Sequence, residues 1–207
     1  MQTIVIQSQK GGSGKTMLCA HLAVESERNG PAWVIDTDHQ ATLSFWHERR
    51  RAETPQRLAV PVAKIKAGLA KMAEHGAAYC FIDTAPSVSE QNTALLEVAD
   101  FVLIPVRPSP SDLWSVAETV SLVKAAQKPF LFVVTQAKLQ ATITAQAVAA
   151  LSQHGRVAKA FITDRVEYAA AMTGGDTAPE LRKGAARKEI FDLWDEIKSC
   201  FHQSSKE

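Results

Sequence analysis

The chain has 207 residues, with 23 Lys+Arg against 22 Asp+Glu and a formal net charge of +1. At roughly 100–200 residues per domain, residues 1–207 read as one domain, with little room for a separate DNA-reading or receptor module. A hydrophobic fraction of 46% with 22% charged residues excludes disordered and fibrous classes. Near-neutral charge argues against a surface coated in cations for permanent attachment to nucleic acid or acidic lipid, while leaving a local basic patch open.

The first apolar run, Ile4-Val-Ile6, meets Gln, Ser and Lys at once, too short for a signal peptide's apolar region. No stretch approaches the about 18 apolar residues of a membrane span. Cys19, Cys80 and Cys200 lie far apart, none in a CxxC or CxxH pair, so neither a disulfide framework nor a zinc site is indicated. The expectation is a cytoplasmic protein with reduced thiols.

Further apolar runs follow at Ala32–Ile35, Tyr79–Ile82, Phe101–Ile104 and Phe130–Val134. Near-continuous apolar runs are how parallel strands covered on both faces read. Between them, apolar residues at three and four spacing predict helices over 15–29, 41–52, 64–75, 90–98, 111–127 and 140–154. The alternation predicts an α/β fold, a doubly wound, mostly parallel sheet flanked by helices. Thr173–Pro179 is the most loop-like interior stretch and is expected to separate this body from a last helix, about 185–202.

Ligands of such sheets bind at the carboxyl ends of the strands, which directs attention to the residues after each run. The first is Lys10-Gly-Gly-Ser-Gly-Lys-Thr16, between a strand and a helix. Glycines let successive N–H groups point at phosphate oxygens, and the helix N-terminus adds partial positive charge. Lys15 can reach terminal phosphates, and the Thr16 hydroxyl can ligate Mg²⁺. The general pattern G-x-x-x-x-G-K-[ST] is not met, because its first glycine falls on Gln9.

Lys-Gly-Gly-x-Gly-Lys-Thr with a lysine at its start resembles the deviant Walker A motif of the ParA/MinD ATPases. Asp36-Thr-Asp-His-Gln40 is similar to the family's D-x-D-P-Q, with His39 at the usual proline and read as a turn residue. Phe81-Ile-Asp-Thr-Ala-Pro86 resembles its Walker B segment, and Val102–Asp112 its I-P-x-x-P-S-P-x-D segment. The resemblance implies a P-loop NTPase using ATP/ADP and Mg²⁺, closest to the small ParA, ParF-like, type.

Residue by residue, the resemblance implies that the nucleotide lies on Lys10, Gly11, Gly12, Ser13, Gly14, Lys15, Thr16 and Met17. Arg107, Pro108 and Gln136 follow the later strands, where the family holds adenine. Thr16, Asp36 and Asp83 would serve the metal, with Asp83 holding a Mg²⁺-bound water. Asp38 would position the attacking water; a cap on the helix near Ala41 is the competing role for Asp36 and Asp38. Lys10 is expected to reach across an ATP-dependent homodimer to the other subunit's nucleotide, stabilising transition-state charge as an arginine finger would.

Within the family, the iron-protein branch needs cluster-bridging cysteines, and Cys19 and Cys80 belong in the core instead. The MinD branch attaches to membrane through a basic amphipathic helix. Here the last helix has an apolar stripe of Ile190, Trp194, Ile197 and Phe201, but carries Asp192, Asp195 and Glu196, which anionic lipid would repel. It is expected to pack on the body, without membrane contact. Arg182, Lys183, Arg187 and Lys188 form an acid-free basic group expected to bind nonspecific DNA once dimerisation doubles it. The reading is a ParA-type ATPase that partitions DNA or another large cargo with a ParB-like partner, nucleoid-associated in its ATP state. The alternatives are a MinD-like membrane regulator or a positioning protein for a protein complex.

Overall fold

A computed structural model describes residues 1–87, 89–138 and 140–204. Its strands are β1 (Gln2–Ile6), β2 (Ala32–Asp36), β3 (Gln56–Arg57), β4 (Tyr79–Asp83), β5 (Phe101–Val106) and β6 (Phe130–Val134). They form one parallel sheet in the order β3-β2-β4-β1-β5-β6. The helices are α1 (Lys15–Ser26), α2 (Thr42–Arg49), α3 (Ile65–Glu74), α4 (Glu90–Glu97), α5 (Pro110–Ala125), α6 (Thr142–Ser152), α7 (Val166–Thr173) and α8 (Ala185–Ser204).

The apolar runs are continuous because both sheet faces are covered. Ile4, Ile6, Val34, Phe81, Leu103 and Leu131 point to one face, under α1 and α8. Val5, Ile35, Cys80, Ile82, Val102 and Ile104 point to the other, under α3, α4, α5 and α6. Alternate residues thus serve two cores, so the middle of each of these strands is apolar, with Thr3 of β1 a buried polar exception. Cys19 and Cys80 are both fully buried, one in each core. Helix starts at the ligand edge are set locally: Ser109 Oγ accepts from Asp112 N at 3.3 Å, with Pro110 opening α5.

The last helix lies on the body. Ile190, Leu193, Trp194 and Ile197 are buried to within 1%. Trp194 packs edge-on to Tyr79 at 4.9 Å between ring centres, and its indole N–H donates to Asn29 Oδ1 at 2.8 Å. Glu196, expected as a lipid-repelling surface acid, accepts from Lys159 N at 2.8 Å and so anchors the loop after β6. Glu189 does the same for the next stretch, accepting from Thr163 N and Oγ1, Arg165 Nε and Tyr168 Oη.

Three elements differ from expectation. β3 is two residues long and exists through its pairing with β2, which leaves no period to detect. α7 buries only Tyr168, so its apolar stripe is too narrow to distinguish from a loop. Thr173–Pro179 does not separate body from tail: Thr177, Ala178 and Pro179 are buried, Ala178–Glu180 form a 3-10 turn, and Ala178 N donates to His21 Nδ1 at 2.9 Å. Burial drives the His21 pKa down to about 3, which keeps the imidazole neutral and able to accept that bond.

Because Trp194 joins the α8 stripe to the sheet through both packing and a hydrogen bond, Trp194→Ala is expected to cost about 3–5 kcal/mol. Urea denaturation measures it; a loss near zero would mean that α8 is not part of the cooperative unit.

Candidate nucleotide-binding site

β1 and β4 are neighbours, so Gln7 and Asp83 to Thr84 emerge together at the carboxyl edge. Thr84 Oγ1 donates to Ile6 O at 2.8 Å and to Gln7 Oε1 at 2.9 Å, closing the strand ends beneath the loop. The chain then turns through Gly12 (φ +73°) and Gly14 (φ +94°), the left-handed conformations that glycine adopts without a Cβ penalty. Gly14 opens α1 in place of a side-chain cap, leaving the first N–H groups of the helix for a ligand.

The loop is held from β6 as well. Thr135 Oγ1 donates to Ser13 O at 2.8 Å, and Gln136 Nε2 to Gly12 O at 2.9 Å. Lys15, 6% exposed, folds its ammonium back onto Lys10 O at 3.1 Å. Burial lowers the Lys15 pKa, while Asp83 and then Asp38 raise it. Gly11, Gly12, Gly14, Lys15 and Thr16 line a cavity of about 340 Å³, with Asp38, Gln40 and Thr42 on one wall and Met172 on another.

At the floor, Thr16 Oγ1 donates to Asp83 Oδ2 at 2.6 Å. Asp83 is 1% exposed, and burial is the chief reason its pKa is pushed up to about 7, against the lowering pull of the Thr16 bond. Its Oδ1 is buried without a protein partner, as is Ser13 Oγ. A hydroxyl beside a half-satisfied carboxylate is an oxygen donor set suited to Mg²⁺, and the curled loop with a buried lysine is suited to phosphate. The residues present therefore fit both groups.

The remaining site residues are placed differently from one another. Asp38 Oδ1 accepts from Gln40 N at 3.0 Å, and the side chain borders the cavity. Asp36, expected in the metal shell, has both oxygens taken: Oδ2 by Ser44 N and Oγ at 2.8 and 2.9 Å, Oδ1 by Asp38 N at 3.1 Å. It caps the first turn of α2, where Ala41 itself offers no side-chain acceptor. Lys10 is not among the residues that line the phosphate cavity; it lines a small separate pocket with Ser8, Asp112 and Ser115.

Of the residues expected near the base, Arg107 is forked onto Asp112, Nε to Oδ2 and Nη2 to Oδ1, both at 2.9 Å. Its Nη1 would stand 3.4 Å from a Cβ on Gly12, so it lies close to the loop. Arg107, Pro108 and Gln136 line one open cleft together with Ile143 and Asp164. Met17 and Gln136 border a second cleft with Tyr168 and Met172. Tyr168 and Met172 were not foreseen, since α7 carries no motif. In the basic group, Arg182 and Lys183 are exposed, Lys188 pairs with Asp192, and Arg187 donates to Leu181 O and Arg182 O. Arg182, Lys183 and Lys188 are thus exposed, the last in a surface pair with Asp192, and Arg187 alone is turned onto backbone carbonyls.

A glycine loop between the central strand and α1, with Lys15, Thr16 and Asp83 converging on it, defines a P-loop nucleotide-binding protein. The CobQ/CobB/MinD/ParA nucleotide binding domain (CbiA) matches residues 4–178, and the chain belongs to that family. Its sequence is 29% identical over 149 residues to maintenance of carboxysome distribution protein A from Halothiobacillus neapolitanus, covering 68% of this chain and 64% of that protein. Protein IncC from Escherichia coli is 28% identical over 167 residues, covering 62% and 46%. The aligned part therefore spans about half to two thirds of these relatives. In fold, the chain is similar to the ATP complex of a Cyanothece McdA variant (TM-score 0.81, 21% identity, 96% of each chain). It is similar also to the cell division protein MinD of Aquifex aeolicus (TM-score 0.79, 17% identity, 96% and 97%).

A carboxylic acid whose folded pKa lies near 7 holds its proton longer than in the unfolded chain. Between about pH 4 and pH 7 the unfolded state is the one losing protons, so Asp83 erodes stability as pH rises. In chelator, Asp83→Asn is expected to melt several degrees above the wild type at pH 8, with the gap closing toward pH 4. Thermal melts across pH check it; a gap independent of pH would place the ionisation elsewhere.

Proposed function

We propose that this chain is a Mg²⁺-dependent ATPase of the ParA type, which positions or partitions a large cargo through a nucleotide-gated homodimer and nonspecific DNA binding. The observation that carries this reading is the division of labour between two lysines. Lys15 serves the cavity of its own chain, whereas Lys10 stands outside it, free of duty to the phosphates in cis.

Mg²⁺, once bound, neutralises phosphate charge and fixes the oxygens in line. Thr16 Oγ1 and, through water, Asp83 would hold it. The loop N–H groups and Lys15 bind and orient the phosphates, and Asp38 holds a water against them and takes up its proton. Lys10 of a second copy supplies the further positive charge that the transition state requires.

The distribution of exposed apolar residues supports pairing through this edge. Phe45, Trp114, Ile143 and Val166 are 53%, 80%, 40% and 82% exposed. Each falls near the start of a helix, α2, α5, α6 or α7, that begins at the carboxyl edge of the sheet. Four of the six exposed large apolar residues among the described residues thus stand at this edge, the others being Met1 and Phe191, and a concentration of apolar surface is a mark of an interaction face. A membrane role has less support. Among the described residues no helix is long and apolar enough to cross a bilayer, and the α8 stripe is buried against the body.

The name of the Halothiobacillus relative points to carboxysomes as one cargo, and the ParA resemblance of the motifs points to DNA as the other. DNA partition with a ParB-like adaptor is the first reading, with Arg182 and Lys183 in the DNA contact; placement of a protein complex is the second. A P-loop switch accounts for either, since the adaptor sets the cargo.

Lys10→Ala is expected to keep ADP binding but to lose ATP-dependent dimerisation, read by light scattering after size exclusion. A monomer–dimer balance indifferent to both ATP and this substitution would sink the sandwich. In gel shifts on random-sequence DNA, retardation is expected with ATP and Mg²⁺ but not with ADP, and Arg182→Ala with Lys183→Ala should weaken it about tenfold or more. Binding that ignores nucleotide would remove the switch.

A further inference from the structure

The two walls of the phosphate cavity come from separate parts of the chain: Asp38, Gln40 and Thr42 lead into α2, and Met172 lies in the last turn of α7. Arg50, the C-cap of α2, connects the two parts. Its side chain is only 2% exposed, rare for an arginine unless every donor is used. Nη1 donates to Gly175 O at 2.8 Å and Glu180 Oε2 at 3.1 Å; Nη2 donates to Glu180 Oε1 at 2.9 Å and Thr54 O at 2.7 Å; Nε donates to Thr54 O at 3.0 Å. The guanidinium lies 4.9 Å from the Trp46 ring centre, and the Trp46 indole N–H reaches Asp176 O at 3.2 Å.

The backbones themselves meet here. A Cβ on Gly175 would stand 2.5 Å from Arg49 C and O, and Gly175 has a φ of +84°, so this turn after α7 requires glycine to seat against the end of α2. At its other end α2 is pinned by the bonds of Ser44 to Asp36. The helix is therefore a strut with one end in the nucleotide wall and the other locked to the turn after α7, where Gly175 N donates to Met172 O at 3.1 Å. Burial raises the Glu180 carboxyl's pKa, but the bonds from Arg50 and Thr177 outweigh it and hold it below the usual range.

We infer that Arg50 is a positioning residue for nucleotide binding: by clamping the end of α2 to Gly175 and Glu180, it sets the distance between the Asp38–Thr42 wall and the Met172 wall. The inference rests on the reading of the cavity as a nucleotide site. Removing the guanidinium leaves Glu180 without its cation and two carbonyls without donors, so the turn after α7 moves off α2. A lysine restores one charge but not the planar fork that reaches Thr54, Gly175 and Glu180 together.

Titration calorimetry with ADP and Mg²⁺, alongside thermal melts, tests this on the full chain. Arg50→Ala is expected to weaken ADP about tenfold. Arg50→Lys should recover part of that loss, and Glu180→Gln, which spares the carbonyl bonds, should lose less than Arg50→Ala. Glu196→Ala, which releases the Lys159 loop remote from the cavity, should lower the melting temperature and leave ADP affinity unchanged. If Arg50→Ala does not fold, Arg50→Lys and Glu180→Gln carry the comparison. Variants that melt earlier yet bind ADP as the wild type does would overturn the inference, as would equal weakening by Glu196→Ala. Failure of the wild type to bind ADP would instead remove the nucleotide reading, and this inference with it.

Discussion

The site is organised by the burial of one carboxylate. Asp83 ends a central strand, is 1% exposed, and meets a single donor, the Thr16 hydroxyl. A carboxyl held in such a place is costly unless cations or donors converge on it. Convergence requires α1 to begin directly above the strand end, which requires the chain to leave β1 in a tight left-handed loop. The same loop presents its N–H groups outward and leaves Ser13 Oγ and Asp83 Oδ1 without partners. These are the oxygens that a bound phosphate and divalent cation would engage under the proposed function.

Elsewhere the chain uses carboxylates as struts. Asp36 caps α2, Asp112 forks Arg107, Glu180 receives Arg50, and Glu189 and Glu196 gather the backbone between β6 and α7. Glu189 and Glu196 satisfy N–H groups of irregular backbone where no regular secondary structure does so. This also explains how a chain with +1 net charge can keep a basic tip. Much of its positive charge is tied to internal partners, while Arg182 and Lys183 stay exposed at the turn before α8.

Reading the strands from the sequence worked because both faces of the sheet are covered, so each strand is a continuous apolar run. The loop Lys10–Thr16 was legible because glycines and a terminal Lys-Thr are needed for a physical reason that acts within seven residues. A carboxylate at the end of a buried strand marks the ligand edge but not its use: Asp83 lies under the loop beside Thr16, while Asp36, at the same place in β2, caps α2. Helix α7, with one buried side chain, and β3, with two residues, carry no such local mark. They form because of what they rest against.

What the sequence alone determined is the strand–loop–helix order, the phosphate loop and the acid beneath it, since each follows from chemistry between near neighbours. The tertiary structure decided which charged groups face the ligand and which hold the protein together. Asp36 and Asp38 are two residues apart, yet one caps a helix and the other borders the cavity. Arg107, expected beside the base, is forked onto Asp112 while it lines the cleft shared with Pro108 and Gln136. Arg50 and Glu180, 130 residues apart, bear no motif, and their pairing arises only when α2 and the turn after α7 are packed together. A charged side chain takes the nearest opposite charge or free carbonyl in space, and that choice is made by the fold.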